Sequence, residues 1–507
     1  MRGLARWLPG LLAAALLAAA PAEAQRWGVR EDAPILDRFD RDGDGHLNAK
    51  ERAEAMAAHA RGEWEGNAEG GWGGASAARR TDPAQVRKIK PADVKKYGNE
   101  PLYDAAVLRT LFLQFDDANW EEELDAFKGT DVLLPATVTV DGRVYKDVGV
   151  HFHGNTSYSS TSDGQKRSIT LEFDDIHKDQ KLLGYRTLTL LNSAADPTFL
   201  RSVLFMQVAR AYYPALKANF VRVAINGERW GVYVNQQHFN SDFTQEAVDF
   251  KGARWKVPGS PRSRGGLEYF GDDVDYYRAV FDIKSKDKPE SWEALMQLCR
   301  VLNQTPVEKL PTELPKVLDV DNVLRFMATE NALINTDGYW TRASDYSIYQ
   351  DGKGIFHIVP HDANETWRPL ESSGFARRSN GSFSQPGTVF LDPLVAEGDG
   401  NKPLISRLLL VPAWKQKYLG YVRDVNDKWL NWKTLGPIVQ RYHDLIAADV
   451  YQDDHKLFSN EDFEAAISGD VSATARNSWG PTAPPEISLK AFVIQRNAWL
   501  TRYLAKQ

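Results

Sequence analysis

The chain has 507 residues and a formal net charge of −6, and it is 43% hydrophobic, 11% aromatic and 26% charged. A chain of this size buries a large core in one to three domains, and its acidic balance gives no footing for nucleic acid or an anionic membrane surface. The single cysteine, Cys299, excludes a disulfide framework; it falls in a helical stretch and reads as a small core residue.

Arg2 and Arg6 precede an apolar run over residues 11–20, and Ala22-Glu23-Ala24 forms a small-x-small cleavage site. This pattern predicts an export signal over 1–24 and a periplasmic or extracellular mature protein. The run is too short to span a bilayer, and no later stretch is long and uncharged enough, so no transmembrane segment is expected. Next comes a calcium-loop pattern, DRDGDGHLNAKE, over residues 40–51. Asp40, Asp42, Asp44, the His46 carbonyl, Asn48 through a water and bidentate Glu51 supply the oxygen ligands of an EF-hand, with Gly45 at the sharp turn. No second intact loop pairs with it, which places its affinity near about 10⁻⁴ to 10⁻³ M. Residues 61–95 read as a linker, Gly- and Ala-rich over 61–80, so the hand (25–60) and the domain (96–507) are expected to behave as separate units.

From about residue 82 the sequence turns dense and ordered. Strands are expected over 136–140 and 144–149, turning at Asp141-Gly142, then over 168–173 and 187–191. An amphipathic helix is expected over 198–212, and a second hairpin over 220–225 and 231–235 turns at Asn226-Gly227. Helical periodicity marks 291–302 and 320–335, a third hairpin (345–349, 355–359) turns at Asp351-Gly352, and 402–430 and 489–504 read as helix. A strand-rich half followed by a helical one predicts an α+β domain with a cleft between its parts.

The chemistry concentrates around that third hairpin. The preceding helix ends in Asn335-Thr336-Asp337-Gly338-Tyr339, and the hairpin exits into Pro360-His361-Asp362-Ala363-Asn364-Glu365. The hairpin returns the chain, so Asp337 and Asp362 reach one site. Protein kinases need such a pair, one Asp orienting the acceptor hydroxyl and a second holding magnesium on the nucleotide phosphates. The same spacing also suits two aspartates that merely cap a helix and a turn. His151 and His153 share one face of a strand, and with His357 or His361 they offer imidazoles for zinc.

Over roughly residues 104–367 the chain resembles the CotH kinase family. The matching pieces stand in family order: Gly149-Val150-His151-Phe152-His153-Gly154-Asn155-Thr156-Ser157, Lys166-Arg167-Ser168, Leu191-Asn192-Ser193 through Asp196 to Leu200-Arg201, Ile225-Asn226-Gly227 with Trp230-Gly231-Val232-Tyr233, Trp255-Lys256-Val257, and the Asp337 and Asp362 segments. The resemblance implies an atypical protein-kinase-like two-lobed fold, strand-rich N-lobe and helical C-lobe, that binds ATP with Mg2+ and phosphorylates Ser or Thr hydroxyls of a protein. It implies Asp337 as the catalytic-loop aspartate, Asp362 as a magnesium ligand, Asn364 as a further amide ligand, and Lys166 or Lys256 as the phosphate-binding lysine. Two departures stand out. Asp345 replaces an Asn that relatives often carry, where it still offers the metal an oxygen, and Gln236-Gln237 stands where they often carry a Glu that would pair with the lysine. Three readings follow: an exported protein kinase, a kinase-like binding or structural protein of the envelope or extracellular space without turnover, and a metal-dependent phosphoester hydrolase.

The loop pattern carries its own prediction. Glu51→Gln halves the bidentate ligand's capacity and is expected to abolish tight calcium binding by titration; an unchanged titration contradicts the ligand assignment.

Overall fold

The structure is a computed structural model that describes residues 32–66, 87–259, 264–370, 388–469 and 487–507. The expected export signal lies outside the described residues, as does most of the Gly- and Ala-rich stretch. Seven strands form the first half: Arg109–Gln114 (β1), Leu134–Val140 (β2), Arg143–His153 (β3), Ser168–Glu172 (β4), Thr187–Leu191 (β5), Ala218–Ile225 (β6) and Glu228–Gln237 (β7). The β2–β3 turn holds Asp141 and Gly142 at φ 52° and 83°, and the β6–β7 turn holds Asn226 and Gly227 at 49° and 77°. Both residues of each turn are left-handed, which matches the twist of the strands they join. The strands close a barrel in the order β1-β2-β3-β4-β5-β7-β6. Closure depends on β1, which pairs antiparallel with β2 and parallel with β6. Alternate residues point inward, so Val138, Val150, Phe152, Leu171, Leu188 and Val223 fill the interior.

The second half is built on a four-stranded antiparallel sheet of Arg254–Val257 (β8), Asp282–Ile283 (β9), Tyr346–Gln350 (β10) and Phe356–Pro360 (β11), in the order β11-β10-β8-β9. Helices Pro289–Gln304, Val320–Ala332, Pro412–Lys428, Trp432–Val450 and Leu489–Leu504 share one apolar core with it. Cys299 lies fully buried in that core. The whole is α+β, a closed barrel followed by sheet and helices. Among the described residues no helix is long and apolar enough to cross a membrane.

The hand segment does not stand apart, contrary to the expected separation. Helices Leu36–Phe39 and Ala49–Ala60 flank the acidic loop, and Ile35, Phe39, Leu47, Ala55 and Trp64 pack with Phe127 and Val132 of the domain. Asp131 accepts from the Ile35 and Leu36 amides (2.9 and 3.0 Å), and buried Arg52 pairs with Glu123 at 3.0 Å. Two helices this short have too little surface to bury their apolar residues against each other alone, and the domain supplies the rest.

One buried ion pair ties the barrel to the C-terminal half. Lys166 and Asp453 are both fully buried and paired, and the Lys166 ammonium also donates to the Val232 carbonyl at 2.5 Å. The Lys166 amide donates to His455 O (3.1 Å), and the His455 ring stacks on Trp230 at 4.0 Å. Gly231 makes room for this crossing, since a Cβ there would stand 2.0 Å from the Asp453 carboxylate. Asp453→Ala leaves an ammonium buried without its counter-ion and is expected to cost about 3–5 kcal/mol in denaturant unfolding. Replacing both partners by apolar residues of similar size should recover most of that loss. A single variant as stable as the unmutated protein contradicts the pairing.

Candidate functional site

The site forms where the β10–β11 hairpin meets the outer face of the barrel. Helix Val320–Ala332 delivers its first part, and Arg496, fully buried in the last helix, fixes that helix's end. Its guanidinium donates to the carbonyls of Ala332 (3.1 Å), Asn331 (2.9 Å), Val389 (3.0 Å) and Leu391 (2.7 Å), satisfying carbonyls that a helix terminus otherwise leaves open. The chain then turns sharply through Asp337. Buried Glu330 accepts from Asn335 Nδ2 at 2.9 Å, and Gly338 lies against the same carboxylate so closely that a Cβ would meet Oε2 at 1.8 Å.

Four residues other than glycine around this turn hold left-handed backbone: Ile334, Ala343, Asp345 and Trp367, with φ of 49°, 53°, 55° and 59°. Each costs on the order of 1–3 kcal/mol, and such strain concentrates at functional sites. The left-handed Asp345 starts the hairpin. Its amide donates to Val257 O (3.0 Å), and its carbonyl accepts from the His361 amide (3.2 Å). Gly259 packs against its carboxylate, where a Cβ would stand 2.7 Å away.

Asp337, Asp345 and Asp362 therefore converge, and their charges act on one another. Burial pushes the Asp337 carboxyl well above its ordinary range, with Glu365, Asp345 and Asp362 adding to the effect and Arg342 opposing it. The Arg342 guanidinium is ion-paired with Asp337. Burial, then the Asp362 charge, raise Asp345 to about 7. Burial also raises Asp362, whose Oδ1 accepts from the Asn364 amide at 3.1 Å. Glu365 runs the other way: Arg368 and Arg342 outweigh its burial and pull it down. Lys256 on β8 is the lysine this centre holds. Burial and Lys284 lower its affinity for a proton, while Asp345 and Asp362 act to keep it charged.

Of the two candidate lysines, Lys166 is not brought here; its ammonium is committed to Asp453 and Val232. The two glutamines also divide. Gln236 faces the site, donating to His361 O at 2.9 Å, whereas Gln237 bonds Glu246 at 3.1 Å. The Asn364 side-chain oxygen and Gln236 Oε1 are buried without a hydrogen-bond partner among the described residues. An amide oxygen of this kind suits a hard cation. Sequence reasoning passed over Glu330, Arg342 and Glu365, whose roles depend on burial and partners that no spacing motif records.

The acids of the hand loop form a second group. Asp40, Asp42 and Asp44 bring oxygens within 4.8 Å of one another, the only set of three or more His, Cys, Asp or Glu to do so among the described residues. Asp40 accepts from the Gly43 and Gly45 amides (2.7 and 2.9 Å). Glu51 is not in that set; its oxygens accept from the Arg41 and Asn48 amides (2.8 and 2.9 Å). Asn48 caps helix Ala49–Ala60, and the His46 ring lies 3.6 Å from Asp175. The imidazoles considered for zinc do not assemble into such a set, and His357 pairs instead with Asp319 (3.4 Å) and Asp351 (3.3 Å).

In this α+β chain the helix-end aspartate and the post-hairpin aspartate thus share a buried acidic centre with a lysine. The sequence profile of the CotH kinase protein family matches residues 150–500, and the chain belongs to that family. It is 24% identical over 291 residues to inner spore coat protein H of Bacillus subtilis, covering 54% of this chain and 70% of that protein. It is 23% identical over 367 residues to invasin CotH3 of Rhizopus delemar, covering 69% and 58%. With spore coat protein homolog 1 of the same fungus it shares 24% over 280 residues, covering 51% and 41%.

Glu330 makes the electrostatics testable. Burial pushes it from 4.5 up to about 8. Between those values the folded protein holds a proton that the unfolded chain has released, so stability falls as pH rises from about 4.5 to about 8. Glu330→Gln keeps the size and has no proton to lose. Its stability–pH profile is expected to be flatter in that window and to lie level with or above the unmutated protein beyond pH 8. Equal slopes contradict the assignment.

Proposed function

We propose that this chain is an exported protein kinase of the CotH family, with an atypical protein-kinase-like two-lobed domain. It transfers the γ-phosphoryl group of ATP to Ser or Thr hydroxyls of a protein. The observation that carries this reading is the convergence of Asp337, Asp345, Asp362 and Lys256. Asp345 and Asp362, with the Asn364 amide oxygen, are suited to hold Mg2+. Lys256 faces the nucleotide phosphates, and Asp337 orients the acceptor hydroxyl. When bound, Mg-ATP supplies the phosphoryl group and a cation that offsets the crowded carboxylates.

The leader-like pattern over 1–24 supports a periplasmic or extracellular location, as do the spore-coat and invasin names of the relatives. Asp40, Asp42 and Asp44, joined by the His46 carbonyl, Asn48 and Glu51, are proposed to bind Ca2+ as an EF-hand. The hand's packing against the domain favours a structural role for that ion. The partner is a protein substrate or a component of the envelope.

A second reading, a kinase-like binding protein without turnover, draws on two observations. Gln236 offers no charge to pair with a lysine, and Arg342 holds Asp337 in an ion pair.

Calorimetric binding of Mg-ATP, paired with transfer to a generic protein acceptor, decides between them. Asp362→Ala is expected to lose nucleotide affinity. Asp337→Ala is expected to keep affinity within about threefold while losing transfer by about 10²-fold or more. Nucleotide binding without transfer in the unmutated protein selects the second reading. No nucleotide binding at any magnesium concentration overturns the kinase.

A further inference from the structure

The barrel's outer face over β3, β4, β5 and β7 carries a polar row with no assigned role. His151, Thr170, Thr189 and Gln236 stand in register across the four strands. Outward polar residues of a barrel ordinarily meet water, yet Thr170, Thr189 and Gln236 are only 1%, 5% and 4% exposed. Gln236 lies under the exit of the β10–β11 hairpin, bonded to His361 O. Two histidines flank the row and are fixed alike. His153 Nδ1 lies 3.4 Å from Thr170 Oγ1, and His238 Nδ1 lies 3.0 Å from Thr189 Oγ1. Where the threonine hydroxyl donates to Nδ1, the ring hydrogen is left on Nε2, and the ring then turns an N–H donor away from its threonine. His361 adds a third ring, with Nδ1 buried and without a hydrogen-bond partner among the described residues; Gln236 Oε1 is in the same state. Backbone bonds bring the strand of Lys256 to these rings: Asp345 donates its amide to Val257 O (3.0 Å) and accepts at its carbonyl from the His361 amide (3.2 Å), and the Lys256 charge, beside burial, acts on His153, His238 and His361.

We propose that Lys256, His153 and His238, walled by His361 and Gln236, form a pocket for a phosphoryl oxyanion. A tetrahedral oxyanion has several acceptor oxygens and takes donors from several directions at once. Uncharged imidazoles supply such donors without the repulsion that further cations would bring to a buried lysine. Thr170 and Thr189 are positioning residues, setting the tautomer and direction of the two rings. The pocket rests on the phosphotransferase reading for the source of its ligand but not for its geometry.

The test uses the full chain and inorganic phosphate, without nucleotide or metal. Calorimetry is expected to show phosphate binding that Lys256→Met abolishes. The double variant His153→Asn, His238→Asn is expected to weaken it about tenfold or more. Thr189→Val is expected to weaken it less, and Lys417→Gln, on a distant helix, to leave it unchanged. The unmutated protein gives a readout that does not depend on any variant folding: phosphate is expected to protect His153 and His238 from carbethoxylation mapped by mass spectrometry. Competition separates the sources. Displacement of phosphate by Mg-ATP assigns the pocket to the nucleotide's terminal phosphate, and simultaneous binding assigns it to a phosphorylated protein; both support the pocket. Phosphate binding with nucleotide binding absent keeps the pocket and removes the kinase. Nucleotide binding indifferent to the histidines, with neither phosphate affinity nor protection, keeps the kinase and overturns the pocket.

Discussion

The constraint on which this structure turns is the crowding of carboxylates in a poorly hydrated place. Glu330, Asp337, Asp345, Asp362 and Glu365 gather at the base of one hairpin, faced by Lys256, Arg342 and Arg368. Two like charges 4 Å apart repel by about 4 kcal/mol at an effective dielectric constant of about 20. The fold answers in two ways. Burial raises the proton affinity of Asp337, Glu330 and Asp345, the last two to about 8 and about 7, and arginines stand beside Asp337 and Glu365. The divalent cation proposed among Asp345, Asp362 and Asn364 would answer the same constraint more completely, which is the physical argument for proposing a metal–nucleotide site there.

Holding such a centre requires rigid surroundings. Arg496 ties the end of helix Val320–Ala332 to two other segments. Gly338 and Gly259 let backbone press against the carboxylates, and four left-handed residues bend the chain around them. The Lys166–Asp453 pair then locks the barrel to the helical half, so the barrel's polar outer face stays opposite the hairpin. Of the two lysines that family resemblance offered, one supports the architecture and the other lies at the acidic centre. Their surroundings decide this: Lys166 is enclosed with its own aspartate, whereas Lys256 is left to the acidic centre.

Local patterns were readable from the sequence, and distant pairings were not. Asp141-Gly142 and Asn226-Gly227 announce their hairpins because both turn positions need left-handed backbone. Strands were expected between them, and strand 187–191 and helix 489–504 appear with the expected bounds. The convergence of Asp337 and Asp362 followed from the hairpin between them. By contrast, the β1–β6 pairing that closes the barrel joins strands far apart in sequence. The Lys166–Asp453 and Arg52–Glu123 pairs are also remote in sequence, and the Gly- and Ala-rich stretch after the hand, from which its separation was expected, carries no sign of the second. Glu330 and Arg342 were missed for a related reason, since their chemistry comes from burial and not from spacing.

A crystal structure of the full chain grown with Mn2+ and a non-hydrolysable ATP analogue tests the central claim most directly, because manganese is located by its anomalous scattering. The account predicts a manganese peak coordinated by Asp345 and Asp362, with the analogue's phosphates against Lys256. Manganese confined to Asp40, Asp42 and Asp44, with no nucleotide between the hairpin and the barrel, would contradict it.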